Sequence, residues 1–302
     1  MDVIPLGTAS AIPTRERHPS ALALVREGRL LLFDCGEGTQ MRLMEAGLPP
    51  TRIDAVFVTH LHGDHFFGLM GLLSTLSLMD RPDPLTIVAP VGLSTALTDL
   101  PGLDLNRLGF DLHFVDLPDT LEQAVVYEDD AFHVEARPID HRTFAVGYRL
   151  EEAARPGHLD VERARALGVT EYADFRALKR GEAVEADARV VTPEEVVGPE
   201  RKGRAFAYVT DTRPCENGRV LARDADLVYH EATFGEAHSR RATETAHSTA
   251  GQAADVARRA GARRLLIGHF SARYDDASGL LDEAQSIFKN TEVAEELKRY
   301  SI

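Results

Sequence analysis

Thr59-His60-Leu61-His62-Gly63-Asp64-His65 is the segment that decides the fold of this 302-residue chain. It ends the apolar, β-branched run at residues 55–59, which predicts a buried strand. Packed into an apolar core, three imidazoles and a carboxylate this close together would leave polar atoms unsatisfied. They can instead converge on a metal ion, since imidazole suits zinc and a neighbouring carboxylate can hold a second ion or orient water. The segment therefore predicts a metal centre on a turn at the end of a strand.

Three further candidate ligands lie outside this segment. His141, Asp211 and His269 each come one or two positions after a run that predicts a strand. A lone polar residue at a strand end usually faces solvent or caps the chain, but ligand sites of α/β sheets gather at this edge. Two four-coordinate ions that share one ligand need about seven ligands between them. The chain supplies that number, so we expect a centre for two ions.

Strand and helix patterns alternate along most of the chain, which predicts an α/β fold with layered packing. The expected strands are residues 3–6, 21–26, 30–34, 55–59, 132–139, 206–210, 227–229 and 264–268. The expected helices are residues 39–46, 68–78, 91–100, 248–260 and 282–299. Residues 151–204 are rich in charge, have a weak strand signal and show helical patterns only at 159–167 and 175–180. We therefore expect one domain over residues 1–302, with an inserted arm at about 151–204.

The pattern His-x-His-x-Asp-His, followed by the three strand-end ligands, resembles the metallo-β-lactamase superfamily. That resemblance implies a four-layered αββα sandwich and two Zn²⁺ per subunit, although such ligands also accept Mn²⁺ or Fe²⁺. It implies two ligand groups: His60, His62 and His141 for one ion, and Asp64, His65 and His269 for the other. Asp211 would bridge them. Many β-lactamases place a Cys at the metal, and Cys215 has no matching strand-end position, which disfavours antibiotic hydrolysis.

Further segments, spread from Ile4 to about Tyr274, resemble the ribonuclease Z family. They are Leu6-Gly7-Thr8 with Ile12-Pro13, Phe33-Asp34-Cys35-Gly36-Glu37-Gly38-Thr39-Gln40, His230-Glu231-Ala232-Thr233-Phe234, Ala246-His247-Ser248-Thr249 and His269-Phe270-Ser271-Ala272-Arg273-Tyr274. The resemblance implies a zinc-dependent endoribonuclease that removes the 3′ trailer of tRNA precursors and leaves a 3′-hydroxyl. It also implies a homodimer without an obligate protein partner, and an arm that grips the tRNA.

Three residues are the expected catalytic groups. The leaving 3′-oxygen of a cleaved phosphodiester needs a proton, and a His whose other nitrogen is held by a carboxylate is a suitable acid. His247 and Glu231 fit this pair, although His247 also directly precedes a predicted helix start, where a structural role is the alternative. The resemblance implies that Asp64 orients the attacking water while it remains a ligand.

Candidate RNA contacts are basic residues near the metal segment and in the arm: Arg273, Arg15, Arg17, Lys179 and Arg180. For Arg273 a surface ion pair is an equal alternative. The arm is only mildly basic and shows Gly168-Val169-Thr170-Glu171-Tyr172 where the family has a Gly-Pro motif. A solvated, charged excursion that does not bind tRNA is the alternative for this segment.

The composition limits the kind of nucleic-acid binding. With 48 acidic and 34 basic residues the formal net charge is −14, which argues against binding by overall attraction and requires local basic patches or metal ions. The acidity fits either adaptation to high salt or a general compositional bias. Two Cys residues are too few for a disulfide framework. The absence of a signal-peptide pattern and of a long apolar run predicts a cytoplasmic protein that does not enter the membrane.

Two other functions remain open from the sequence. A zinc phosphodiesterase or related hydrolase of small esters would keep the metal centre and would not need the arm. A non-catalytic scaffold with a degenerate metal site is disfavoured, because such proteins lose ligands and all seven candidate positions are present here.

Overall fold

The computed structural model describes residues 1–100, 102–186 and 189–302, so residues 187 and 188 of the expected arm lie outside the described part. One large sheet has, in spatial order, strands β18 (Tyr300–Ser301), β1 (Asp2–Gly7), β3 (Ala21–Arg26), β4 (Arg29–Phe33), β5 (Ile53–Phe57), β6 (Leu85–Pro90) and β7 (Leu112–Leu117). Strands β4 to β7 run parallel. Their carboxyl ends therefore share one edge, and the His-x-His-x-Asp-His segment follows β5 at that edge.

The second large sheet has the order β17 (Thr291–Val293), β15 (Leu265–Gly268), β14 (Leu227–Glu231), β13 (Ala205–Val209), β10 (Ala145–Glu152), β9 (Phe132–Ile139) and β8 (Ala124–Glu128). Its strands β13, β14, β15 and β17 are parallel, and β13 to β15 are buried throughout. Two small sheets pair β2 (Ala9–Ser10) with β16 (Phe270–Ser271), and β11 (Val184–Ala186) with β12 (Arg189–Val191).

Helices connect these strands in the described ranges. They are α1 (Thr39–Glu45), α2 (Gly63–Phe66), α3 (Gly68–Leu78), α4 (Leu93–Thr98), α5 (Val161–Ala166), α6 (Tyr172–Lys179), α7 (Pro193–Val196), α8 (Glu216–Leu221), α9 (Ser239–Thr245), α10 (Ala250–Arg259) and α11 (Ser278–Ile287). Short 3₁₀ turns lie at Pro50–Arg52, Leu105–Arg107 and Glu236–His238. None of the helices in these ranges has the length and apolar character that a membrane crossing requires.

Aromatic side chains fill the space between the two large sheets. The Phe33 ring of β4 lies 5.1 Å from that of Phe57 in β5, and 5.7 Å from that of Phe206 in β13 of the other sheet. On the outer faces, leucines of α1, α3 and α4 pack on the first sheet. Alanines and leucines of α8, α10 and α11 pack on the second. The order helix, sheet, sheet, helix is the four-layered arrangement expected above.

The chain divides into two compact units, and the smaller comprises residues 129–133 and 151–204. Its own core is formed by Ala164, Val169, Leu178, Val191 and Val196, among others. The short strands β11 and β12 pair antiparallel within this unit, and the weak sequence signal did not predict them.

The helix expected at 282–299 is wrong beyond Ile287. Helix α11 ends at Ile287, and Thr291–Val293 instead forms β17, which pairs in parallel with β15. The apolar spacing of this segment is compatible with a helix, but the β-branched Thr291 and Val293 fit an edge strand beside β15. The open edge of the sheet, which the local sequence does not show, decides the outcome.

Candidate active site

The candidate site lies where parallel strands of the second sheet end. In their register Val209 pairs with His230, and His230 pairs with Ile267, so the carboxyl ends of β13, β14 and β15 are level. Asp211 lies just beyond β13, and His269 directly follows β15. Because parallel strands end at one edge, residues far apart in sequence meet there.

A first group of ligand atoms surrounds His62, which follows β5. Its Nδ1 lies 2.9 Å from His60 Nε2 and 3.4 Å from His141 Nε2. Asp211 Oδ2 lies 3.6 Å from His60 Nε2 and 4.0 Å from His141 Nε2. Three nitrogens and one carboxylate oxygen thus face a common point, as a tetrahedral zinc site requires.

A second group shares Asp211 through its other oxygen. Asp211 Oδ1 lies 3.4 Å from His65 Nε2 and 3.0 Å from His269 Nε2. Asp64 Oδ2 lies 3.4 Å from His65 Nε2 and 3.9 Å from His269 Nε2. Asp211 therefore stands between the two groups with one oxygen toward each, which is the geometry of a bridging carboxylate.

The chemistry of these atoms fits metal ions. The Nε2 atoms of His65 and His269 are buried without a hydrogen bond of acceptable geometry, although carboxylate oxygens lie close to them. Burial lowers the pKa of His269, but Asp211 and Asp64 raise it to about 10, and the pKa of His65 is raised for the same reason. Buried carboxylates thus stabilise positive charge at these nitrogens, where bound cations would supply it.

Hydrogen bonds on the far side of three of the imidazoles fix their orientation. Nδ1 of His65 donates to Asp34 Oδ2 at 2.8 Å, and Nδ1 of His141 donates to the carbonyl oxygen of Ala246 at 3.0 Å. His269 Nδ1 donates to Thr233 Oγ1, also at 3.0 Å. These partners fix the tautomer that leaves the Nε2 lone pairs free for a metal.

Asp34, Thr233 and Ala246 are the supporting residues that the sequence alone did not single out. Asp34 is fully buried, and it also accepts hydrogen bonds from the Thr59 backbone at 2.8 Å and from Tyr208 OH at 3.0 Å. The available signal was its position: a polar residue directly after β4, at the edge where the ligands gather.

Left-handed backbone conformations concentrate at this edge. Asp34, Asp211, Ala246 and His269 have φ values of 56°, 39°, 59° and 57°. Such a conformation costs a non-glycine residue about 1–2 kcal/mol. It persists where the surrounding structure imposes it, which is common at functional sites.

His247 and Glu231 form a hydrogen-bonded pair beside the ligands. His247 Nδ1 lies 2.9 Å from Glu231 Oε1, and its ring centroid lies 5.3 Å from that of His141 and 5.6 Å from that of His269. Glu231 is fully buried and held by the backbone N–H groups of Thr212 and Thr233. Burial lowers the pKa of His247, but the Glu231 carboxylate raises it above its ordinary value. The second nitrogen, Nε2, remains available to donate a proton.

Comparison with known proteins assigns the family. A protein named ribonuclease Z from Salinibacter ruber is 57% identical over 304 residues, which covers 100% of this chain and 94% of that protein. The chain belongs to the ribonuclease Z family. A ribonuclease Z from Methanosarcina acetivorans is 42% identical, with 98% of this chain and 96% of that protein covered. A family model described as anti-Pycsar protein Apyc1 matches residues 1–102.

Solved structures agree with the ribonuclease Z family and its fold. The crystal structure of human tRNase Z, short form, has a TM-score of 0.73 and 31% identity, and covers 100% of this chain and 99% of that chain. A metallo-β-lactamase fold protein from Bacillus subtilis has a TM-score of 0.70 at 16% identity, covering 99% of this chain and 98% of that chain, which bears on the fold alone. The expected metallo-β-lactamase fold is confirmed.

The predicted RNA contacts of this ribonuclease Z family member differ in their surroundings. Arg273 is exposed, lies over the Phe234 ring at 4.9 Å and donates to Ser271 Oγ. Arg17 instead donates to the carbonyl oxygens of Tyr274 and Asp275, so it binds the protein itself. Arg15 is exposed. RNA contact by these residues remains a prediction.

Thr233→Val should weaken metal binding without changing the shape of the site. It removes the hydroxyl that holds His269 Nδ1, and loss of such a supporting partner typically costs about 10- to 100-fold in metal affinity. Competition with a chromophoric zinc chelator measures the affinity. Thr243→Val, at an exposed position of α9, is the matched control and should bind zinc like the parent protein. Equal affinities for the two variants would contradict this role of Thr233.

Proposed function

We propose that this chain is a metal-dependent endoribonuclease that removes the 3′ trailer from tRNA precursors and leaves a 3′-hydroxyl on the tRNA. The observation that carries the proposal is the position of Asp211, with one oxygen toward each of two ligand groups. The His247–Glu231 pair lies at the same edge and supplies an acid. The names of the relatives, ribonuclease Z and tRNase Z, support the substrate class.

Two divalent ions would occupy the two ligand groups, and Zn²⁺ suits them best, although Mn²⁺ or Fe²⁺ is compatible. His60, His62, His141 and Asp211 Oδ2 would hold one ion. Asp64, His65, His269 and Asp211 Oδ1 would hold the other. When bound, such ions neutralise phosphate charge and lower the pKa of a coordinated water to about 7, which makes a nucleophile available near neutral pH.

The side chains around these groups move and hold protons. His247 shares the Nδ1 proton with Glu231, so a protonated ring presents Nε2–H toward the cleavage point. It can then protonate the 3′-oxygen as the bond to phosphorus breaks. The Glu231 carboxylate raises the pKa of His247, which favours the protonated ring. Asp64 orients the attacking water, and Arg273 lies where an RNA phosphate could approach the ligand His269.

The direct test uses metal-loaded protein and a tRNA precursor with a 3′ extension. We expect a single cut that yields a tRNA body with a free 3′-hydroxyl and a trailer with a 5′-phosphate. The two ends are distinguished by ligation and by phosphatase treatment. An uncut precursor with full metal content would overturn the proposal. Hydrolysis of small phosphodiesters alone would favour the small-ester hydrolase.

The arm has a cavity that fits RNA binding. The cavity has a volume of about 740 Å³ and is lined by Arg165, Arg176, Lys179 and Arg180, together with Tyr172 and Phe175. Arg180 also pairs with Glu182 at 2.7 Å. Basic side chains beside aromatic rings suit RNA, because they bind phosphates and stack on exposed bases. We propose that this unit, at about residues 151–204, is the exosite for the tRNA body.

The double variant Arg176→Glu/Lys179→Glu should raise KM for the precursor by roughly 10-fold or more, because phosphate contacts become repulsive. Hydrolysis of a small phosphodiester should not change. Arg258→Glu/Arg259→Glu on α10 makes the same charge change at residues that belong to the other unit and serves as the control. Equal KM values for the two double variants would show that the arm does not bind the precursor through these basic residues. Titration with salt should also show a shallower dependence of KM in the arm variant.

The homodimer, which the family resemblance implies, and the cytoplasmic location, which the sequence pattern predicts, remain proposals. Sedimentation velocity at several protein concentrations tests the first. Cell fractionation tests the second.

A further inference from the structure

The loop at residues 8–18 extends from the end of β1 to the second group of candidate ligands, which contains Asp64. Its Ala11 N–H donates to Asp64 Oδ2 at 2.9 Å. The same oxygen lies 3.4 Å from His65 Nε2, so it is the oxygen that faces the second ligand group. Ala11 has φ 59°, a left-handed conformation that an alanine adopts only where its surroundings impose it. The loop therefore presents one backbone donor to a candidate ligand at an energetic cost.

The loop has little packing at its tip and depends on anchors at its base. Residues 11–16 are exposed, and the Ile12 side chain is 64% exposed. At the base, Ala9 N–H donates to the His18 carbonyl oxygen at 2.9 Å. Gly7 lies so close to the returning chain that a Cβ there would be 1.7 Å from the Pro19 carbonyl oxygen. The two ends of the loop are thus held together. The exposed tip has its own hydrogen bonds, among them Thr14 N–H to the Arg17 carbonyl oxygen at 2.9 Å and Arg17 to the Tyr274 carbonyl oxygen at 2.9 Å.

Glu296 is the central anchor of this base. Its side chain is 8% exposed, and Oε1 accepts from Thr8 N–H at 3.0 Å, Thr8 Oγ1 at 3.2 Å and His18 N–H at 2.8 Å. Oε2 accepts from His18 Nδ1 and from an Arg42 guanidinium nitrogen, both at 2.9 Å. One carboxylate from the C-terminal segment thus joins both ends of the loop and α1.

The following residue holds Glu296 in place. Leu297 has φ 66° and donates its N–H to the Pro5 carbonyl oxygen of β1 at 2.8 Å. A left-handed leucine is strained, so this turn is imposed by its contacts rather than by local preference. This turn at Leu297 directs the Glu296 carboxylate toward the base of the loop.

We propose that Glu296 is a positioning residue that holds the loop at residues 8–18 so that Ala11 N–H orients Asp64 in the second ligand group. The proposal rests on the metal centre of the proposed function. Without this anchor the loop gains freedom, and Asp64 loses the donor that fixes its orientation. Among the described residues, the hydrogen bond from Ala11 goes to Asp64 of the second ligand group, so the ion of that group should be the more affected of the two.

Glu296→Gln tests this proposal, with Glu295→Gln as its neighbouring control. Glu295 is exposed, and among the described residues its side chain pairs only with Lys298. Glu295→Gln should therefore leave the conformation of the loop unchanged. Competition with a chelator should show one zinc ion bound about 10- to 100-fold more weakly in Glu296→Gln, and the other less affected. Hydrogen exchange should become faster in the peptide containing residues 8–18. For the precursor, kcat should fall while KM stays the same.

Other outcomes would overturn the proposal. If both zinc ions bind equally more weakly and the melting temperature falls, Glu296 has a role in folding alone. If both zinc affinities stay unchanged, Glu296 does not position Asp64. If Glu296→Gln does not fold, replacing the Ala11 amide by an ester, with lactic acid at position 11, removes the N–H itself. It keeps the side chain and permits the φ of 59°, and it should weaken the same ion relative to the parent protein. Zinc affinity is measured without RNA. The zinc results therefore test the role of Glu296 even if the parent protein does not cleave a tRNA precursor.

Discussion

Asp211→Asn should reduce precursor cleavage by roughly 10³-fold or more, since it affects both ions of a two-metal centre at once. The two Asp211 oxygens lie 3.6 Å from His60 Nε2 and 3.0 Å from His269 Nε2, one toward each ligand group. An Asn side chain keeps the shape but offers one oxygen and one NH₂ group, which cannot bind a metal. Metal analysis should therefore show less than two ions per chain, with the remaining ion more weakly bound.

The backbone conformation at Asp211 should not change in the Asp211→Asn variant. Its φ of 39° is left-handed, and Asn tolerates this conformation as well as Asp does. Asp224→Asn is the matched control, because Asp224 is also an aspartate in this conformation, with φ 49°, and lies on the surface. It should keep activity and metal content. A fully loaded, active Asp211→Asn protein would show that the bridge is assigned to the wrong residue.

The clustering of the candidate ligands was predictable because their signal is local. Each combines a residue type that binds metal with a position just after an apolar run, and a parallel sheet brings such positions to one edge. The structure gathers all seven candidate ligands at that edge, although they extend from residue 60 to residue 269. Strand pairing was less predictable, as the helix expected at 282–299 shows. Its outcome depends on β15, a neighbour that the segment itself does not reveal.

The roles of the supporting residues were not predicted from the sequence, for a physical reason. Thr233 and Asp34 are ordinary polar residues until the fold places His269 and His65 against them. Glu296 is 288 positions from Thr8, its hydrogen-bond partner. Arg17 was predicted as an RNA contact from its residue type, and the fold also supplies it with two backbone carbonyl partners; its RNA contact stays a prediction. Residue type suggests a role, but the partners that the fold supplies decide it.

His247→Ala should lower kcat for the precursor by about 10²- to 10⁴-fold, the usual contribution of a general acid. KM and zinc content should stay close to those of the parent protein, because His247 is not assigned to either ligand group. Its Nδ1 is held by Glu231, which is buried and fixed by two backbone N–H groups. Glu231→Gln should therefore lower kcat by a smaller factor. The acid His247 remains in this variant, but it loses the carboxylate that fixes its orientation and raises its pKa. His113→Ala, an exposed histidine of β7, is the control.

A substrate with a better leaving group separates acid catalysis from structural damage. Bis(p-nitrophenyl) phosphate releases p-nitrophenolate, which is a far weaker base than a ribose 3′-oxygen and leaves without a proton. If His247 acts as the acid, the loss caused by His247→Ala should largely vanish with this substrate while the Asp211→Asn loss persists. A metal defect or a misplaced loop would instead lower both activities together. An equal loss on the two substrates would therefore mean that His247 supports the site and does not protonate the leaving oxygen.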